Sequence, residues 1–521
     1  MKMLLLAFRF LIGFLCLSGS FFLGLVSSYE LVRLSMWLLL MTFGISGLFL
    51  VFGRQRLSSF SMITVWAYFF LDVSVRGFNR LYFGFRPDPV DFFTTVFNTS
   101  TQEAYNFFCG NWHSLIISVV FYCLALVLLV FIERKLRHRF NAGTTGQSRL
   151  SQKVIFGFIC FLFIVLHALS AMRRESPITF WPNQYREYQN RAKELERLRK
   201  NRNIHQNVFQ SRYAGKEANR TLVLVIGESA NRNNMSVYGY PRDTTPEMNR
   251  MQDRITVFRD VISASYMTAP SLSMALTPAN RQDRDGWKAL PDVITIAKRA
   301  GYKTFWLSNQ NATDGLLTLI AEGADVHHFC NHGSVISESP YDDILLKPYK
   351  EALNDPAPLK LIVVHLLGSH FHYKFRYPEK YARFSSNDDE VAVEMKKAGR
   401  PDWMITKRNE YDNSILFTDA LWSQLAQELF SGVGGKDSAK GSALLYFSDH
   451  GQEVGHYRDH GGPSKSDKSG WEVPMVLMTT DRQVVPKSDL SSVHTRWTDS
   501  NRHCWDFFIS KRLFIMLPTM F

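Results

Sequence analysis

The spacing of apolar and polar positions divides the chain into two parts. Up to about residue 172, long apolar blocks alternate with short basic loops, whereas beyond residue 219 the apolar runs are short. Most of the long blocks approach the roughly 20 residues that a membrane-spanning helix needs. They cover residues 4–26, 34–52, 60–75, 115–132 and 154–172. The pattern therefore predicts an α-helical membrane domain of about five spans over residues 1–175.

The basic loops predict how these spans are oriented. The loop after the second block carries Arg54 and Arg56, and residues 134–153, after the fourth block, form the most basic loop. Basic loops favour the cytoplasmic side, so an odd number of spans places everything after residue 172 outside. Basic residues on the outer side, such as Arg76, are expected to flank helix ends, with binding of anionic lipid headgroups as the alternative. Asp72 lies near a span end and is given no role.

The region between the two parts is predicted to be a linker over residues 176–218. Two prolines in residues 176–182 indicate an interruption of the helical structure. Residues 185–203 are rich in charged side chains at helical spacing, which is typical of a helix in solvent or at the membrane interface.

Beyond residue 219 the short apolar runs predict buried strands. Runs without alternation are typical of parallel strands covered on both faces. They lie at residues 222–227, 254–260, 303–308, 361–364, 443–447 and 473–479, with predicted helices at 290–300 and 414–429. Alternating strands and helices predict an α/β domain with a mostly parallel sheet over residues 219–490. Residues 491–521 lack a closing helix pattern and are predicted to be a divergent C-terminal tail.

Charge and cysteine usage exclude two classes of site. The net charge of +13 is explained by the basic loops of the membrane domain, so no nucleic-acid partner is expected. Six cysteines include no Cys-x-x-Cys pair, which leaves a sulfur-ligated zinc site unsupported. A disulfide between Cys330 and Cys504 is left open.

Acidic and histidine side chains follow three of the predicted strands. Glu228 follows the first strand, and Asp449 and His450 follow the strand at residues 443–447. The strand at residues 361–364 leads into His365 and His370. Ligands bind at the carboxyl ends of the strands in open α/β sheets, and carboxylate and imidazole groups suit zinc. Glu228, Asp449 and His450 are therefore candidate metal ligands. His370 and His460 are candidates for a second metal or for phosphate contact.

A nucleophile is expected close to the metal, because a metal-bound hydroxyl is activated near neutral pH. Residues 263–277 are rich in hydroxyl side chains and follow a predicted strand. Helix capping is the alternative use of these hydroxyls. The pattern leaves the choice open among Ser263, Ser265, Thr268, Ser271, Ser273 and Thr277.

Five motifs together resemble the bacterial phosphoethanolamine transferases, which belong to the alkaline phosphatase/sulfatase superfamily. They are Gly-Glu-Ser-Ala at 227–230, Tyr-Gly-Tyr-Pro-Arg-Asp-Thr-Thr-Pro-Glu at 238–247, Met-Thr-Ala-Pro-Ser-Leu at 267–272, His-Leu-Leu-Gly-Ser-His at 365–370 and Ser-Asp-His-Gly-Gln at 448–452. The resemblance extends to about residue 480 and includes the predicted membrane topology.

The resemblance implies a role for each matching residue. Thr268 would be the catalytic nucleophile and a zinc ligand, together with Glu228, Asp449 and His450. His370 and His460 would bind the phosphoryl group or a second zinc ion, and His456 competes with His460 because the spacing after His450 is unusual. The substrate-side positions would be His365, Thr99 and Glu103.

The implied activity is transfer of phosphoethanolamine from phosphatidylethanolamine through a covalent phosphothreonine. The enzyme would lie in the bacterial inner membrane with its catalytic domain in the periplasm. Members that modify lipid A usually carry several disulfides, so the few cysteines favour a lipopolysaccharide core sugar or a periplasmic glucan as acceptor. The alternatives are a phosphoglycerol transferase or a hydrolase on the same fold, and a catalytically inactive envelope protein that binds lipid or a partner.

Overall fold

The structure is a computed structural model, and it describes most of the chain. The described residues are 2–23, 26–83, 93, 96–97, 101–141, 150–169, 177–201, 219–280, 282–283, 286, 291–312, 315–331, 340–431 and 441–480. As far as they are described, the residues form two compact units. The first contains Met1–Phe97 and Phe107–Asn190, and the second contains Asn98–Asn106 and Arg191–Phe521.

The N-terminal part of the chain is helical throughout its described elements. The helices are α1 (Lys2–Phe22), α2 (Ser28–Met41), α3 (Gly47–Val51), α4 (Gln55–Phe83), α5 (Thr101–Asn141), α6 (Leu150–Leu169) and α7 (Pro177–Asn201). A π-helical turn, Thr42–Ser46, joins α2 to α3, so the second predicted block forms one continuous helical rod.

Four helical segments are long and apolar enough to cross a membrane. They are Lys2–Phe22, Ser28–Val51, Gln55–Gly77 and Leu150–Leu169, and they match the first, second, third and fifth predicted blocks. The prediction of N-terminal helices with several candidate spans is therefore confirmed. The fourth block, residues 115–132, lies within α5, where many side chains are outside the described set, and it stays a prediction.

Asp72 and Arg76 are buried inside the first unit, near the end of the candidate span Gln55–Gly77, so Asp72 has a structural role that the sequence did not predict. Arg76 Nε donates to Asp72 Oδ2 at 2.8 Å, and the indole of Trp181 donates to Asp72 Oδ1 at 2.8 Å. Residues four apart share a helix face, which lets the guanidinium neutralise the carboxylate where neither group reaches water.

A second buried ion pair joins Arg9 of α1 to Glu133 of α5, and both side chains are almost fully buried. The Arg9 guanidinium also donates to the hydroxyls of Ser46 and Ser58, at 2.8 Å each. A charge in an apolar bundle is tolerated only when paired and hydrogen-bonded. This network therefore ties α1 and α5 to Ser46, which directly precedes α3, and to Ser58 within α4.

The predicted break at residues 176–182 is wrong, because α7 continues through Pro182. Pro177 occupies the first helical position, where a missing N–H is not needed. Pro182 forfeits one backbone hydrogen bond. Its neighbours hold the segment in place, since Phe180 is buried and Trp181 bonds to Asp72.

The second unit contains a sheet flanked by helices. In chain order its strands and helices are β1 (Arg220–Gly227), α8 (Pro246–Arg250), β2 (Ile255–Val257), α9 (Thr268–Leu276), α10 (Val293–Arg299), β3 (Lys303–Ser308), α11 (Leu316–Ala321), β4 (Val326–Phe329), α12 (Leu346–Leu353), β5 (Leu359–His365), α13 (Glu390–Lys397), α14 (Asp402–Ser431), β6 (Ala443–Ser448), β7 (Glu453–Val454), β8 (Gly461–Gly462) and β9 (Met475–Thr479).

The predicted mostly parallel sheet is confirmed. Its strand order is β2-β9-β6-β1-β5-β3-β4, and β9 is the strand that runs antiparallel to its neighbours. The register sets Ile226 opposite His365 and Gly227 opposite Ser448. Strands β1, β5 and β6 therefore end at the same level, which brings the residues that follow them together.

Helices cover both faces of this sheet. Alternate residues of the central strand β1 enter two separate cores, with Leu224 packing in the core that contains Leu272 of α9. Val225 points to the opposite side, into the core that contains Trp422 of α14. This two-sided burial explains why β1 is apolar without alternation.

The long helix α14 begins 12 residues before the predicted helix at 414–429. Its first half buries polar residues that bond to distant segments, so it lacks the apolar periodicity of an amphipathic helix. Asp412, for example, is fully buried and accepts a hydrogen bond from Arg242 at 2.7 Å. The conspicuous motif at residues 238–247 thus contributes to the scaffold through Arg242.

Candidate metal centre and nucleophile

The turn after β1 holds Glu228 in place through its neighbour. Ser229 has a φ of 60°, a left-handed conformation that is rare for residues other than glycine. Its N–H donates to Asp449 Oδ1 at 2.9 Å, and its hydroxyl donates to Glu228 Oε1 at 2.8 Å. The strained residue therefore connects two predicted metal ligands that lie far apart in sequence.

Tyr411 of α14 stabilises this turn through two hydrogen bonds of its hydroxyl group. Its hydroxyl donates to the carbonyl of Ser229 at 2.6 Å and accepts the N–H of Asn231 at 2.8 Å. All three residues are buried. Sequence reasoning missed this role, because nothing in the local pattern connects Tyr411 with residues some 180 positions earlier.

The loop after β5 lies directly against Glu228. Gly368 has a φ of 51°, and a Cβ on it would lie 2.8 Å from the Glu228 carbonyl oxygen, so glycine is required there. The N–H of Ser369 donates to that same oxygen at 2.9 Å. Asp342, also missed in the sequence, accepts the N–H groups of Leu367 and Gly368 at 2.8 Å each. Its carboxylate thus fixes the loop that leads to His370.

The turn after β6 presents Asp449 and His450. The N–H of Asp449 donates to the Gly227 carbonyl at 3.1 Å, which extends the strand pairing into the turn. His450 Nδ1 lies 2.8 Å from the Gly451 carbonyl oxygen. Donation from Nδ1 to that oxygen makes Nε2 the nitrogen that gives up its proton when the imidazole binds a metal.

Thr268 is the first residue of α9, and its hydroxyl lies at the same place. Thr268 Oγ1 lies 3.2 Å from Glu228 Oε2 and 3.3 Å from His450 Nε2. Of the other hydroxyl candidates, Ser271 donates to the backbone carbonyl of Asp449 at 2.5 Å. The Thr268 hydroxyl therefore lies against two predicted metal ligands, whereas the Ser271 hydroxyl contacts the backbone of a third, a difference that the sequence pattern did not predict.

The donor atoms fit a four-coordinate zinc ion. The ligand atoms of Glu228, Asp449 and His450 lie within 4.8 Å of one another, and His450 Nε2 is 3.5 Å from Glu228 Oε1 and from Asp449 Oδ2. Tetrahedral zinc with bonds of about 2.0–2.1 Å holds its ligands about 3.3 Å apart. Asp449 Oδ2 is buried without a hydrogen-bond partner in the described part of the chain, as expected of an oxygen reserved for a metal.

The electrostatics of the three ligands also favour a cation. Burial and the nearby charge of Glu228 raise the pKa of Asp449 to about 8. Burial alone would raise the pKa of Glu228, but hydrogen bonding to His450 and the charges of His450 and His370 hold it below its ordinary range. Burial disfavours protonated His450, yet the two carboxylates outweigh it and raise the pKa of His450 to about 9. A divalent cation bound between these three side chains would stabilise the two buried carboxylates in their ionised form.

In the described part of the chain, the other predicted histidines do not belong to this group of three ligands. Among the described residues, Glu228, Asp449 and His450 are the group with metal-ligand spacing, and neither His370 nor His460 is a member. The charge of His370 nevertheless acts on Glu228. His460 lies just before β8, and burial and Arg458 lower its pKa to about 4.

His365, the last residue of β5, is buried, and burial lowers its pKa to about 4. Its Nε2 has no hydrogen-bond partner in the described part of the chain. His456 Nε2 lies 2.8 Å from Asn234 Oδ1, in the buried scaffold, and the choice between His456 and His460 stays a prediction. Thr99 and the side chain of Glu103 lie outside the described residues, as do Cys504 and the predicted tail.

The comparisons with known proteins cover mainly the second unit. A family model described as Sulfatase matches residues 220–500. Phosphoethanolamine transferase EptC of Escherichia coli (strain K12) is 38% identical over 273 residues, which are 50% of this chain and 45% of that protein. Phosphoethanolamine transferase CptA of Salmonella typhimurium is 36% identical over 302 residues, 56% of this chain and 50% of that protein. The chain spans about half the length of the curated relatives it matches.

A solved structure matches the fold of both parts of the chain. It is the integral membrane protein lipooligosaccharide phosphoethanolamine transferase A from Neisseria meningitidis, with a TM-score of 0.56 and 20% identity, covering 91% of this chain and 88% of that one. The likeness shows a shared fold, N-terminal helices followed by a sulfatase-like domain.

Proposed function

This chain belongs to the sulfatase family, and from that premise we propose that it transfers phosphoethanolamine from phosphatidylethanolamine to a lipopolysaccharide or glucan acceptor of the bacterial envelope. The names of the relatives EptC and CptA support the transferred group. The observation that carries the proposal is the placement of the Thr268 hydroxyl, 3.2–3.3 Å from two metal-ligand atoms. A hydroxyl in that position is a nucleophile for phosphoryl transfer.

Zinc is the proposed cofactor, held by Glu228, Asp449, His450 and the hydroxyl oxygen of Thr268. When bound, zinc supplies Lewis acidity, which stabilises the threonine alkoxide and the charge on the transferring phosphoryl oxygens. His370 and His460 are the proposed contacts to the phosphoryl group or to a second zinc ion, and the number of ions is left open.

In the proposed first half-reaction, Thr268 Oγ1 attacks the phosphorus of phosphatidylethanolamine. A bond forms between Oγ1 and phosphorus, the bond from phosphorus to the glycerol oxygen breaks, and diacylglycerol leaves with the proton that the threonine gives up. Glu228 Oε2, 3.2 Å from Oγ1, accepts the hydroxyl's hydrogen bond and orients the attack. Because Thr268 begins α9, the positive end of the helix dipole favours the developing negative charge.

In the proposed second half-reaction, an acceptor hydroxyl attacks the same phosphorus and Thr268 leaves with a proton. The threonine is thereby regenerated, and the acceptor carries the phosphoethanolamine. Substrate-side contacts are proposed for His365, Thr99 and Glu103. A buried imidazole such as His365, whose Nε2 has no hydrogen-bond partner in the described part of the chain, is suited to donating a hydrogen bond to a phosphoryl oxygen.

The helical part of the chain is proposed to anchor the enzyme in the inner membrane, with the catalytic domain in the periplasm. The donor is a lipid, so an anchor at the bilayer raises its effective concentration at the site. The four segments able to cross a membrane support this placement. The proposed domains are 1–175 for the membrane domain, 176–218 for the linker, 219–490 for the catalytic domain and 491–521 for the tail.

The test uses the full chain in vesicles that contain phosphatidylethanolamine labelled in its ethanolamine. Purified lipopolysaccharide and periplasmic glucan are supplied as acceptors. The proposal expects zinc-dependent transfer of label to one of them, with no transfer by Thr268→Ala. Release of phosphoethanolamine into water alone would indicate a hydrolase, and transfer from phosphatidylglycerol instead would indicate a phosphoglycerol transferase. Zinc binding without turnover of either lipid would favour an inactive binding protein.

A further inference from the structure

Lys407 of α14 is a half-buried lysine that contacts no carboxylate in the described part of the chain. Its ammonium lies 5.1 Å from the ring centroid of Phe371 and 5.6 Å from that of Trp403. Within the described part of the chain it takes part in no hydrogen bond or ion pair. Glu410, three residues on, acts on it only through longer-range attraction. An ammonium placed between aromatic rings, with no carboxylate in contact, remains available to an anion from outside.

The position of Lys407 connects it to the candidate catalytic edge. Phe371, which contacts the ammonium, directly follows His370. Gly461 directly follows His460, and a Cβ on Gly461 would lie 3.6 Å from the Lys407 Nζ. The charge of Lys407 also lowers the pKa of His460. Lys407 therefore lies where the loops that carry the two outer histidines meet.

Helix α14 fixes this position relative to the metal centre. Lys407 lies one helical turn before Tyr411 and so on the same helix face, and the Tyr411 hydroxyl bonds to the residue after Glu228. Trp403, one turn before Lys407, is half exposed and offers a flat apolar surface beside the ammonium. A cation beside an exposed aromatic face is suited to a phosphorylated sugar or to a lipid phosphate.

We propose that Lys407 forms a subsite for a substrate phosphate oxyanion at the rim of the candidate active site. The inference rests on the proposed function, and the phosphate has two sources, a phosphate group on the acceptor or the phosphate of the lipid donor. The structural alternative is that the ammonium merely covers the rings of Phe371 and Trp403. The two roles can be distinguished, because only in an anion subsite does removing the charge of Lys407 weaken the binding of one particular substrate.

The first experiment compares Lys407→Gln, Lys407→Arg and the control Lys397→Gln, which alters an exposed lysine of α13. Full-length protein is assayed for labelling of Thr268 by phosphatidylethanolamine, and for transfer to lipopolysaccharide with its phosphates intact or removed by hydrogen fluoride. One charge-assisted hydrogen bond corresponds to about a tenfold change in KM. Lys407→Arg keeps the charge and should stay close to wild type.

The pattern of the loss identifies the phosphate. A tenfold higher KM of Lys407→Gln for intact lipopolysaccharide, with unchanged Thr268 labelling and no change for dephosphorylated acceptor, assigns the subsite to the acceptor. A tenfold higher KM for phosphatidylethanolamine in the labelling step assigns it to the donor. Equal KM values for Lys407→Gln, Lys397→Gln and wild type overturn the proposal.

A second measurement is independent of activity. The lysines of the full-length protein are converted to ¹³C-dimethyl-lysines, which keep their charge, and the Lys407 signal is identified by its absence from Lys407→Arg. Inorganic phosphate should shift this signal saturably, while the Lys397 signal does not move. A shift in a protein that transfers nothing would retain the subsite and reject the proposed function. A Lys407 signal that phosphate does not move would overturn the subsite, whatever the activity.

Discussion

Replacing Tyr411 by phenylalanine tests whether the strained turn after β1 organises the metal centre. The substitution removes one oxygen and keeps the ring that packs edge-on against Tyr373, 5.1 Å away. Two buried backbone groups lose their partner, the carbonyl of Ser229 at 2.6 Å and the N–H of Asn231 at 2.8 Å. Water cannot replace the hydroxyl without entering a position where both residues are buried.

The expected magnitude follows from these two groups. Leaving a buried donor or acceptor unsatisfied costs about 1–2 kcal/mol each, so Tyr411→Phe should lower the free energy of unfolding by about 2–4 kcal/mol. For a domain of this size, that corresponds to a fall of about 4–8 °C in Tm. Relaxation of Ser229 would also weaken the two hydrogen bonds by which it holds Glu228 and Asp449 in position. Zinc binding should therefore weaken about tenfold.

Tyr349→Phe is the matched control. The Tyr349 hydroxyl is equally buried in the same unit and donates one hydrogen bond, to the Leu425 carbonyl at 3.0 Å. Its removal should cost about 1–2 kcal/mol and leave zinc affinity unchanged. Both variants are compared by thermal unfolding without zinc and by competition with a zinc chelator. The reasoning is refuted if Tyr411→Phe is no less stable than Tyr349→Phe and binds zinc like the wild type.

Three further predictions concern single residues. Asp449→Asn should bind zinc at least about 100-fold more weakly, since it removes a charged ligand, while circular dichroism stays unchanged; wild-type zinc affinity would contradict the ligand assignment. Gly451→Ala should lower Tm by several degrees without zinc, because its Cβ would lie 2.1 Å from the Ser469 carbonyl oxygen and the backbone would have to move. An unchanged Tm would contradict this steric argument. His456 is buried, and burial holds its pKa well below its ordinary value. Below about pH 6.5 the unfolded chain therefore binds a proton that the folded chain does not, so the free energy of unfolding falls as the pH falls. The decrease in the free energy of unfolding approaches about 2 kcal/mol at pH 5. His456→Gln, which can still bond to Asn234, should flatten that part of the pH dependence of Tm, and an equally steep fall would contradict the assignment.

The sheet and the level of its strand ends could be predicted because both depend on local pattern. A continuous apolar run such as the one in β1 is needed only where helices cover both faces of a strand. Once β1, β5 and β6 are parallel neighbours, the residues after them must meet at one edge. The convergence of Glu228, Asp449 and His450 follows from that rule, and the family expected from the motifs is confirmed by the sulfatase match.

The features that the sequence did not predict depend on partners distant in the chain. Asp342 looks like one of two acidic residues at the start of a helical turn, yet its carboxylate fixes the loop before His370. The left-handed Ser229 carries no local signal, because serine rarely adopts that conformation unaided. The edge strand β4 contains His327 and His328, which are exposed, so it lacks the apolar run that marked the central strands.

The membrane part illustrates the same limit. Hydropathy locates the apolar segments, since their length is set by the bilayer. It assigns a cost to Arg9 and Asp72 and gives no information about which residues neutralise them. Glu133, the partner of Arg9, becomes apparent only when the helices pack, because that ion pair joins two helices. Arg76 lies four residues after Asp72 on the same helix, so helical spacing could have paired those two residues.

The most direct test of the central claim is mass spectrometry of the full-length, zinc-loaded protein after incubation with phosphatidylethanolamine vesicles and no acceptor. We predict one added phosphoethanolamine group on the peptide that contains Thr268, released when lipopolysaccharide or glucan is added and absent from Thr268→Ala. Consumption of the lipid without an adduct, or an adduct on a different residue, would contradict the covalent threonine mechanism.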